Sequence, residues 1–404
     1  MLKVIPVDQI QVGMFISEQN AEWIPEQNRT KSGLIMKPET ITKIRQRGIE
    51  FVTIDTDRGI DSEDRPMEPS IRNREAAGQR NLLQQEQSGV ASPSVSLEDE
   101  RTKAQRIHTE ALQLLDNVMD RVRGGVSIDV AEVESVAENL VDSVFRNENA
   151  LACLSRIRNK DAYLMEHSLN VGVLLSILAK SMGFDIGTIR KLAVGGMLHD
   201  VGKVQVPDEV LHKPGKLEAE EWEEMKRHVM YGEAYLEQIA VDSTVRAICA
   251  QHHERLDSSG YPRGLAADAI SLFGRMSAVC DVYDAITADR CYHQGMAPSV
   301  AMKRLVEWSD DHLDRKLVYQ FIRAMSIYPV GTLVELNNGH LGIVVEPNRV
   351  QQAKPRVRVI YHLKHRSFLP VEDIDLAHAG EDYAIVRALE PSRLDVQIKI
   401  MDFM

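Results

Sequence analysis

The sequence predicts a mainly α-helical protein with a small α/β module at its N-terminus and a small β-rich segment at its C-terminus. Apolar residues recur at helical spacing from about residue 98 to about residue 326. Short strand-like apolar runs precede this region, and two β-prone runs around an Asn-Gly pair follow it. These patterns divide the chain into an α/β module at 1–57, a flexible linker at 58–97, a helical domain at 98–328 and a β-rich segment at 329–404.

The N-terminal module combines strand-like runs with one helix. Val4–Ile16 and Phe51–Ile54 contain short apolar runs, and Pro38–Arg47 has helical character. From Asp57 to about Ser96 the chain is instead rich in Gln, Ser, Glu, Arg, Pro and Gly. A segment of that composition buries too little apolar surface to order itself, so we expect a linker there.

Amphipathic stripes account for the helical domain. Ser96 and Asp99 form a candidate capping box ahead of the first stripe, which continues through Ile107 and Val118. Further stripes occupy residues 164–178, 186–199, 219–237, 242–252 and 297–307. The string GTLVELNNGHLGIVVE then places two β-prone runs around an Asn-Gly turn, and another such run follows at Arg356–Tyr361. This predicts the β-rich segment.

Composition excludes several classes of protein. The net charge of -12 disfavours an unspecific electrostatic grip on nucleic-acid polymers. The start MLKVIPVDQIQVGMF lacks the features of a secretory signal, and no apolar run reaches the roughly 18 residues of a membrane span. We therefore expect a cytoplasmic protein. The cysteines are scattered and predict neither a disulfide framework nor a thiolate zinc site. They are Cys153, Cys249, Cys280 and Cys291.

Histidines and aspartates dominate the motifs MEHSLNVG, MLHDVGK, MKRHVMYG, ICAQHHERLDSSGYP and AVCDVYDA. Any one of these histidines is more simply explained as a core or surface residue that is hydrogen-bonded to a neighbour. Together they indicate a metal site, because unpaired polar groups in apolar helices are costly and coordination removes that cost. The candidate ligands are His167, His199, Asp200, His228, His252, His253 and Asp281.

The donor set restricts the metal. Imidazoles and carboxylates without thiolates suit iron, manganese, nickel, cobalt or zinc, whereas calcium and magnesium prefer all-oxygen cages. The set is too large for one ordinary site, but two metals about 3.5–4 Å apart that share a carboxylate would accommodate it. We expect Asp200 to be that shared carboxylate. The other ligands divide into His167, His199 and Asp281 around one metal and His228, His252 and His253 around the other.

Two long strings resemble the signatures of the HD-GYP phosphodiesterases. LHDVGKVQVPDEVLHKPGKL, which contains His199 and Asp200, is similar to the HD signature, and HHERLDSSGYP at 252–262 is similar to the GYP signature. The similarity covers about residues 160–326 and keeps the family's order of His, HD, His, HH and Asp. The segment from QVGMFISEQNAEWIP through GIEFVTID also resembles a module of unassigned role that often precedes this catalytic domain.

The resemblance implies a fold, an activity and residue roles. It implies the helical HD-superfamily fold and hydrolysis of the bacterial second messenger cyclic di-GMP to pGpG, in some members onward to GMP. The ligand set carries over, and Asp200 and Lys203 are then catalytic, with Lys203 contacting the scissile phosphate. Tyr261 and Arg290 match positions that line the nucleotide pocket. Some members bind a third metal through a Glu where Tyr163 stands here, so we expect two divalent transition-metal ions, either iron or manganese, with nickel, cobalt or zinc as alternatives.

The chain departs from the GYP signature at two positions. Ser258 stands where Gly is usual, and Leu256 stands where a larger residue is common. A serine strains the turn if that position needs a positive φ. Glu254, Asp257 and Asp284 are expected to support ligands or turns rather than to bind metal.

Other functions remain open on these grounds. A degenerate domain that binds nucleotide or protein without hydrolysis would act as a signalling adaptor, although the complete ligand set argues against it. A phosphodiesterase for cyclic GMP-AMP is the second alternative, because the GYP string favours cyclic dinucleotides in general. Beyond the substrate, the expected partners are a diguanylate cyclase or motility proteins. The helix at 100–124 is expected to be a packing or homodimer surface.

Overall fold

The structure is a computed structural model, and it confirms the predicted fold class. It describes residues 2–11, 14–17, 33–35, 38–45, 50–56, 93–155, 163–288, 295–309, 311–380, 383–389, 394, 396, 398 and 400–403. Residues 57–92, which hold most of the predicted linker, lie outside the described residues, as does Arg290. The domain boundaries themselves stay a prediction.

The N-terminal unit is a four-stranded antiparallel sheet with one helix. Its elements are β1 (Leu2–Pro6), β2 (Phe15–Ile16), β3 (Gly33–Leu34), α1 (Pro38–Arg45) and β4 (Phe51–Asp55), with the strands in the order β1-β4-β2-β3. Side chains alternate across a strand, so Val52 and Ile54 are buried while Phe51 is exposed. Val52 and Ile54 belong, with Ile5 and Met14, to the small core of this unit.

Helices make up most of the second unit. They are α2 (Leu97–Arg123), α3 (Val130–Leu154), α4 (Tyr163–Ser181), α5 (Ile186–Leu198), α6 (Asp208–Leu211), α7 (Ala219–Lys226), α8 (His228–Gln238), α9 (Ser243–Gln251), α10 (Leu272–Thr287), α11 (Pro298–Glu307) and α12 (Arg315–Met325), with a 3₁₀ turn at Val201–Gln205. Short polar side chains cap the first backbone N–H groups of several helices. These caps are Ser96, Asp129, Asp185, Asp242, Ser271 and Asp314.

The stripe predicted over residues 219–237 is two helices rather than one. They meet at Arg227, whose N–H bonds to the carbonyl of Glu224, three residues back. The helical hydrogen-bond pattern is interrupted there, and His228 begins the next helix. The break therefore places His228 at the N-terminal end of the second helix.

Helices α4 and α5 approach each other at two glycines. A Cβ atom on Gly196 would lie only 2.5 Å from the Cα of Gly172, so only glycine allows this approach. Their neighbours belong to one continuous apolar core that includes Leu175 and Leu198. The close crossing brings together the helix ends that carry the HD-type motifs.

The C-terminal segment is a five-stranded antiparallel sheet. Its strands are β5 (Leu333–Leu336), β6 (His340–Glu346), β7 (Arg356–His362), β8 (Ser367–Asp375) and β9 (Ile385–Leu389), in the order β8-β7-β6-β5-β9. Gly339 has φ +80° in the β5–β6 turn, as the Asn-Gly pair predicts. Arg349 links the sheet to the helices through an ion pair with Glu148, which also binds Lys180.

Every helix in the described ranges is too short or too polar to cross a lipid bilayer.

Candidate metal centre

The structure brings the predicted ligands together from five helices and the turns that follow them. One set consists of Asp200, His228, His252 and His253, and the other consists of His167, His199 and Asp281. Within each set, one ligand atom from every residue lies within 4.8 Å of the others. The division matches the grouping expected from the sequence, while the binding of metal by these groups stays a prediction.

Asp200 lies between the two sets. Its Oδ2 atom is 3.4 Å from the Nε2 atoms of both His167 and His199. Its Oδ1 atom is 3.3 Å from Nε2 of His228 and 3.7 Å from Nε2 of His252. Each carboxylate oxygen therefore faces two imidazoles, and the two oxygens face different sets.

Backbone carbonyls at helix ends orient three of the imidazoles. The Nδ1 of His199 donates to Gly196 O at 2.7 Å, that of His228 to Met225 O at 2.6 Å, and that of His252 to Cys249 O at 2.8 Å. A carbonyl can only accept, so each Nδ1 carries a proton, and in the neutral imidazole Nε2 then keeps its lone pair. These Nε2 atoms point at Asp200, in the tautomer that binds metal. Residue type gives no signal of these carbonyls, so sequence reasoning missed them.

His167 is held between two carboxylates of α10. Its Nδ1 lies 2.7 Å from Asp284 and its Nε2 lies 3.1 Å from Asp281. Burial lowers the pKa of His167, but the hydrogen bonds to Asp281 and Asp284 outweigh it and raise the pKa to about 9. Asp284 thus supports a candidate ligand, as expected.

Two buried atoms of the cluster have no hydrogen-bond partner, namely His199 Nε2 and Asp200 Oδ1. An unsatisfied buried polar atom costs about 1–3 kcal/mol. Burial lowers the pKa of His252 to about 3, so this imidazole is neutral and able to bind a metal. The unpaired atoms, the neutral imidazole and the nitrogen and oxygen donors all fit a transition-metal site.

Lys203 is the cation next to the cluster. It lies in the 3₁₀ turn Val201–Gln205, and its Nζ is 2.5 Å from Asp200 Oδ2. Burial raises the pKa of Asp200, but Lys203 and the histidines His199 and His228 hold it well below its ordinary value. Asp200 is therefore an anion, and Lys203, its ion-pair partner, has 18% of its side chain exposed.

The GYP loop is held by a buried carboxylate and a close backbone approach. Glu254, 2% exposed, accepts from the N–H groups of Arg263 and Leu265 at 2.8 and 2.9 Å. A Cβ atom on Gly260 would lie 2.5 Å from His253 O, so the loop passes too close for any other residue. The structure thus confirms that Glu254 supports the loop, and Asp257 likewise accepts from Ser259.

Ser258 has φ +65°, the left-handed conformation that favours glycine. The strain anticipated from the Gly-to-Ser departure is therefore present in the turn. It lies outside the ligand set.

Tyr261 lies beside the cluster, with its ring centroid 4.6 Å from that of His253 and 6.2 Å from that of His228. Burial raises the pKa of its hydroxyl, as do the charges of Asp281 and Asp200. The hydroxyl is therefore protonated at neutral pH. Arg290, the other predicted pocket residue, lies outside the described residues.

Comparisons with known proteins find matches over almost the whole chain. Residues 151–317 match the HD domain family, residues 2–133 match a domain of unknown function, and residues 333–397 match a KOW domain associated with HD domain. A cyclic di-GMP phosphodiesterase of Pseudomonas aeruginosa is 35% identical over 97% of this chain and 93% of its own length.

Other relatives match less of the chain. A 3'3'-cGAMP-specific phosphodiesterase of Vibrio cholerae is 30% identical over 52% of this chain and 51% of its own length. The solved structure of an HDG"Y"P protein from Bdellovibrio bacteriovorus is 17% identical, covers 80% of this chain and 98% of its own, and has a TM-score of 0.47.

Proposed function

The chain belongs to the family of HD-domain cyclic di-GMP phosphodiesterases, and from this premise we propose that it hydrolyses cyclic di-GMP with the help of two divalent transition-metal ions. The observation that carries the proposal is the position of Asp200, each of whose oxygens faces two imidazoles. Such a carboxylate could bind one ion through each oxygen, as in a two-metal site that hydrolyses phosphoesters.

The two sets of side chains would hold one ion each. His167, His199 and Asp281 would bind the first, His228, His252 and His253 the second, and Asp200 both. When bound, such ions act as Lewis acids toward phosphate oxygens and make water more acidic. Iron or manganese is our first expectation, with nickel, cobalt or zinc as alternatives, because this donor set accepts all of them.

The chain's own residues supply the rest of the chemistry. Lys203 lies beside Asp200, where its positive charge would stabilise the negative charge that grows on the phosphoryl oxygens in the transition state. Asp200 would contribute the carboxylate that both ions share. Tyr261, at the edge of the cluster, and Arg290 would line the nucleotide pocket.

The reaction opens the cyclic dinucleotide. Water adds its oxygen to one phosphorus, the bond from that phosphorus to the 3′ oxygen breaks, and the 3′ oxygen takes a proton. The product is linear pGpG, and a second hydrolysis would give GMP. Such an enzyme would act in the cytoplasm and remove the product of a diguanylate cyclase. Motility proteins would be further partners. Helix α2 would be a packing or homodimer surface.

Cyclic GMP-AMP is the second candidate substrate. The similarity to a 3'3'-cGAMP-specific phosphodiesterase supports it, although over about half of each chain. The relative named for cyclic di-GMP matches almost the whole chain, which favours cyclic di-GMP.

The test combines metal analysis with turnover. Protein purified anaerobically would be analysed for metals, and the same sample would be given cyclic di-GMP, cyclic GMP-AMP and pGpG with products separated by chromatography. We expect about two transition-metal ions per chain and faster loss of cyclic di-GMP than of cyclic GMP-AMP. Bound metal without turnover of either dinucleotide would instead support a binding module.

A further inference from the structure

An exposed tryptophan lies next to the GYP loop. Trp222, on α7, is 44% exposed, although large apolar side chains are usually covered. Its ring centroid lies 5.9 Å from that of Tyr261, and the two rings are almost perpendicular at 80°. The two rings therefore form a corner, of which Trp222 is partly exposed to solvent.

The corner stands where the metal centre opens to solvent. His253 has 21% of its side chain exposed, whereas the other four histidines of the cluster are at most 2% exposed. The ring of Tyr261 contacts the ring of this exposed histidine, and the ring of Trp222 in turn contacts the ring of Tyr261. A phosphodiester that reaches the centre from this side would carry its substituents past Trp222.

A cation completes the corner. Lys226 follows Trp222 by four residues and so lies on the same face of α7. Its Nζ atom is 6.0 Å from the centroid of the Tyr261 ring, and it pairs with Glu223 at 2.7 Å. Aromatic faces with a nearby cation are the chemistry that binds nucleobases without base pairing.

Side-chain contacts hold the N-terminal end of α7, the helix that carries Trp222 and Lys226. Glu218 and Glu221 form a reciprocal capping box at its start. Lys213 binds Glu221 at 2.6 Å, which ties the preceding loop to the helix. The start of the helix that carries Trp222 is therefore held by side-chain contacts.

We propose that Trp222 is a specificity-determining residue that stacks on a purine base of the substrate, in a subsite formed with Tyr261 and Lys226. The proposal rests on the proposed function and goes beyond it, because it assigns the recognition of the base to a residue outside the metal centre. Stacking on one aromatic side chain contributes enough to change affinity by about tenfold or more.

The experiment compares substrates with and without a base. Trp222→Ala, Trp222→Phe and wild type would be assayed on cyclic di-GMP and on its abasic analogue, which keeps the sugar–phosphate ring and has no aromatic group. We expect Trp222→Ala to raise KM for cyclic di-GMP by about tenfold with kcat within about twofold, and Trp222→Phe to restore most of the affinity. Because the abasic analogue has no ring to stack, its kinetics should be the same for all three proteins. Equal losses on both substrates, or no loss on either, would overturn the proposal.

A binding measurement separates this proposal from the proposed function. GMP and ribose 5-phosphate share a phosphate and a sugar, but only GMP has a base. Equilibrium dialysis with the metal-loaded protein should show that Trp222→Ala weakens GMP binding about tenfold and leaves ribose 5-phosphate unchanged. If the wild-type protein turns over no cyclic dinucleotide, but Trp222→Ala weakens GMP binding, the proposed function is refuted and the base-binding subsite stands. Unchanged GMP binding would refute the subsite.

Discussion

The Nδ1 atom of His167 lies 2.7 Å from a carboxylate oxygen of Asp284, and both side chains are only 2% exposed. Asp281 stands three residues earlier on the same helix and faces the other nitrogen of the ring. One helix thus presents a carboxylate to each edge of this imidazole. The two carboxylates together orient the ring.

Asp284→Asn should weaken metal binding without abolishing the fold. The amide can still accept a hydrogen bond, but it loses the charge that makes the imidazole a stronger donor to metal. Loss of such a supporting carboxylate typically costs about 10–100-fold in metal affinity. Metal titration under anaerobic conditions measures this, with the exposed Asp268→Asn as the matched control. Equal affinity in both variants would contradict the orienting role.

Asp200→Ala should abolish turnover of cyclic di-GMP and leave the protein folded. The substitution removes the carboxylate that faces four imidazoles, so both ions would lose a shared ligand. Bound metal should fall well below that of wild type, as measured by elemental analysis. Asp208→Ala, an exposed aspartate of the neighbouring α6, is the control for a change of charge. Retained turnover in Asp200→Ala would refute the two-metal proposal.

Glu100 should make stability depend on pH in the acid range. Its carboxylate, 1% exposed, accepts from Arg146 at 2.7 and 2.8 Å and from Ser143 at 2.7 Å. Burial raises the pKa of Glu100, but the bonds from Arg146 and Ser143 together lower it below 4.5. A lowered folded pKa contributes stability that is complete above the unfolded pKa and is lost as pH falls through the folded pKa.

Urea unfolding at pH 7 and at pH 3 tests this contribution. Glu100→Gln should reduce the free energy of unfolding at pH 7 by about 1–2 kcal/mol, a value that allows for the partial exposure of Arg146. The gap between variant and wild type should shrink at pH 3. Asp116→Asn, an exposed change on the same helix, should leave both values nearly unchanged. A gap that does not depend on pH would contradict the assignment.

Ser258→Gly should stabilise the protein slightly. The residue has φ +65°, which costs a non-glycine residue about 1–2 kcal/mol, and the greater freedom of glycine in the unfolded chain cancels part of that gain. We expect a net gain of up to about 1 kcal/mol, measured by chemical unfolding. Ser259→Gly is the contrasting variant, because it removes a hydroxyl that donates to Asp257 at 2.6 Å and should destabilise the turn.

The sequence by itself determined the fold class and the members of the candidate site. Helical periodicity and the Asn-Gly turn are local patterns, so they could be recognised without a partner. The order of histidines and aspartates likewise singled out His199, Asp200 and the other members of the cluster, because polar groups in apolar helices need an explanation that only a few chemistries provide.

Only the tertiary structure decided how these groups meet. Three features depend on residues far apart in sequence or on backbone atoms common to every residue. They are the break at Arg227, the glycine contact between α4 and α5, and the carbonyls that orient three of the imidazoles. The same holds for Trp222, an aromatic in a polar helix that gains significance only beside Tyr261. Periodicity shows which side chains share a face of one helix, whereas the position of one helix against another follows from packing, which no local pattern encodes.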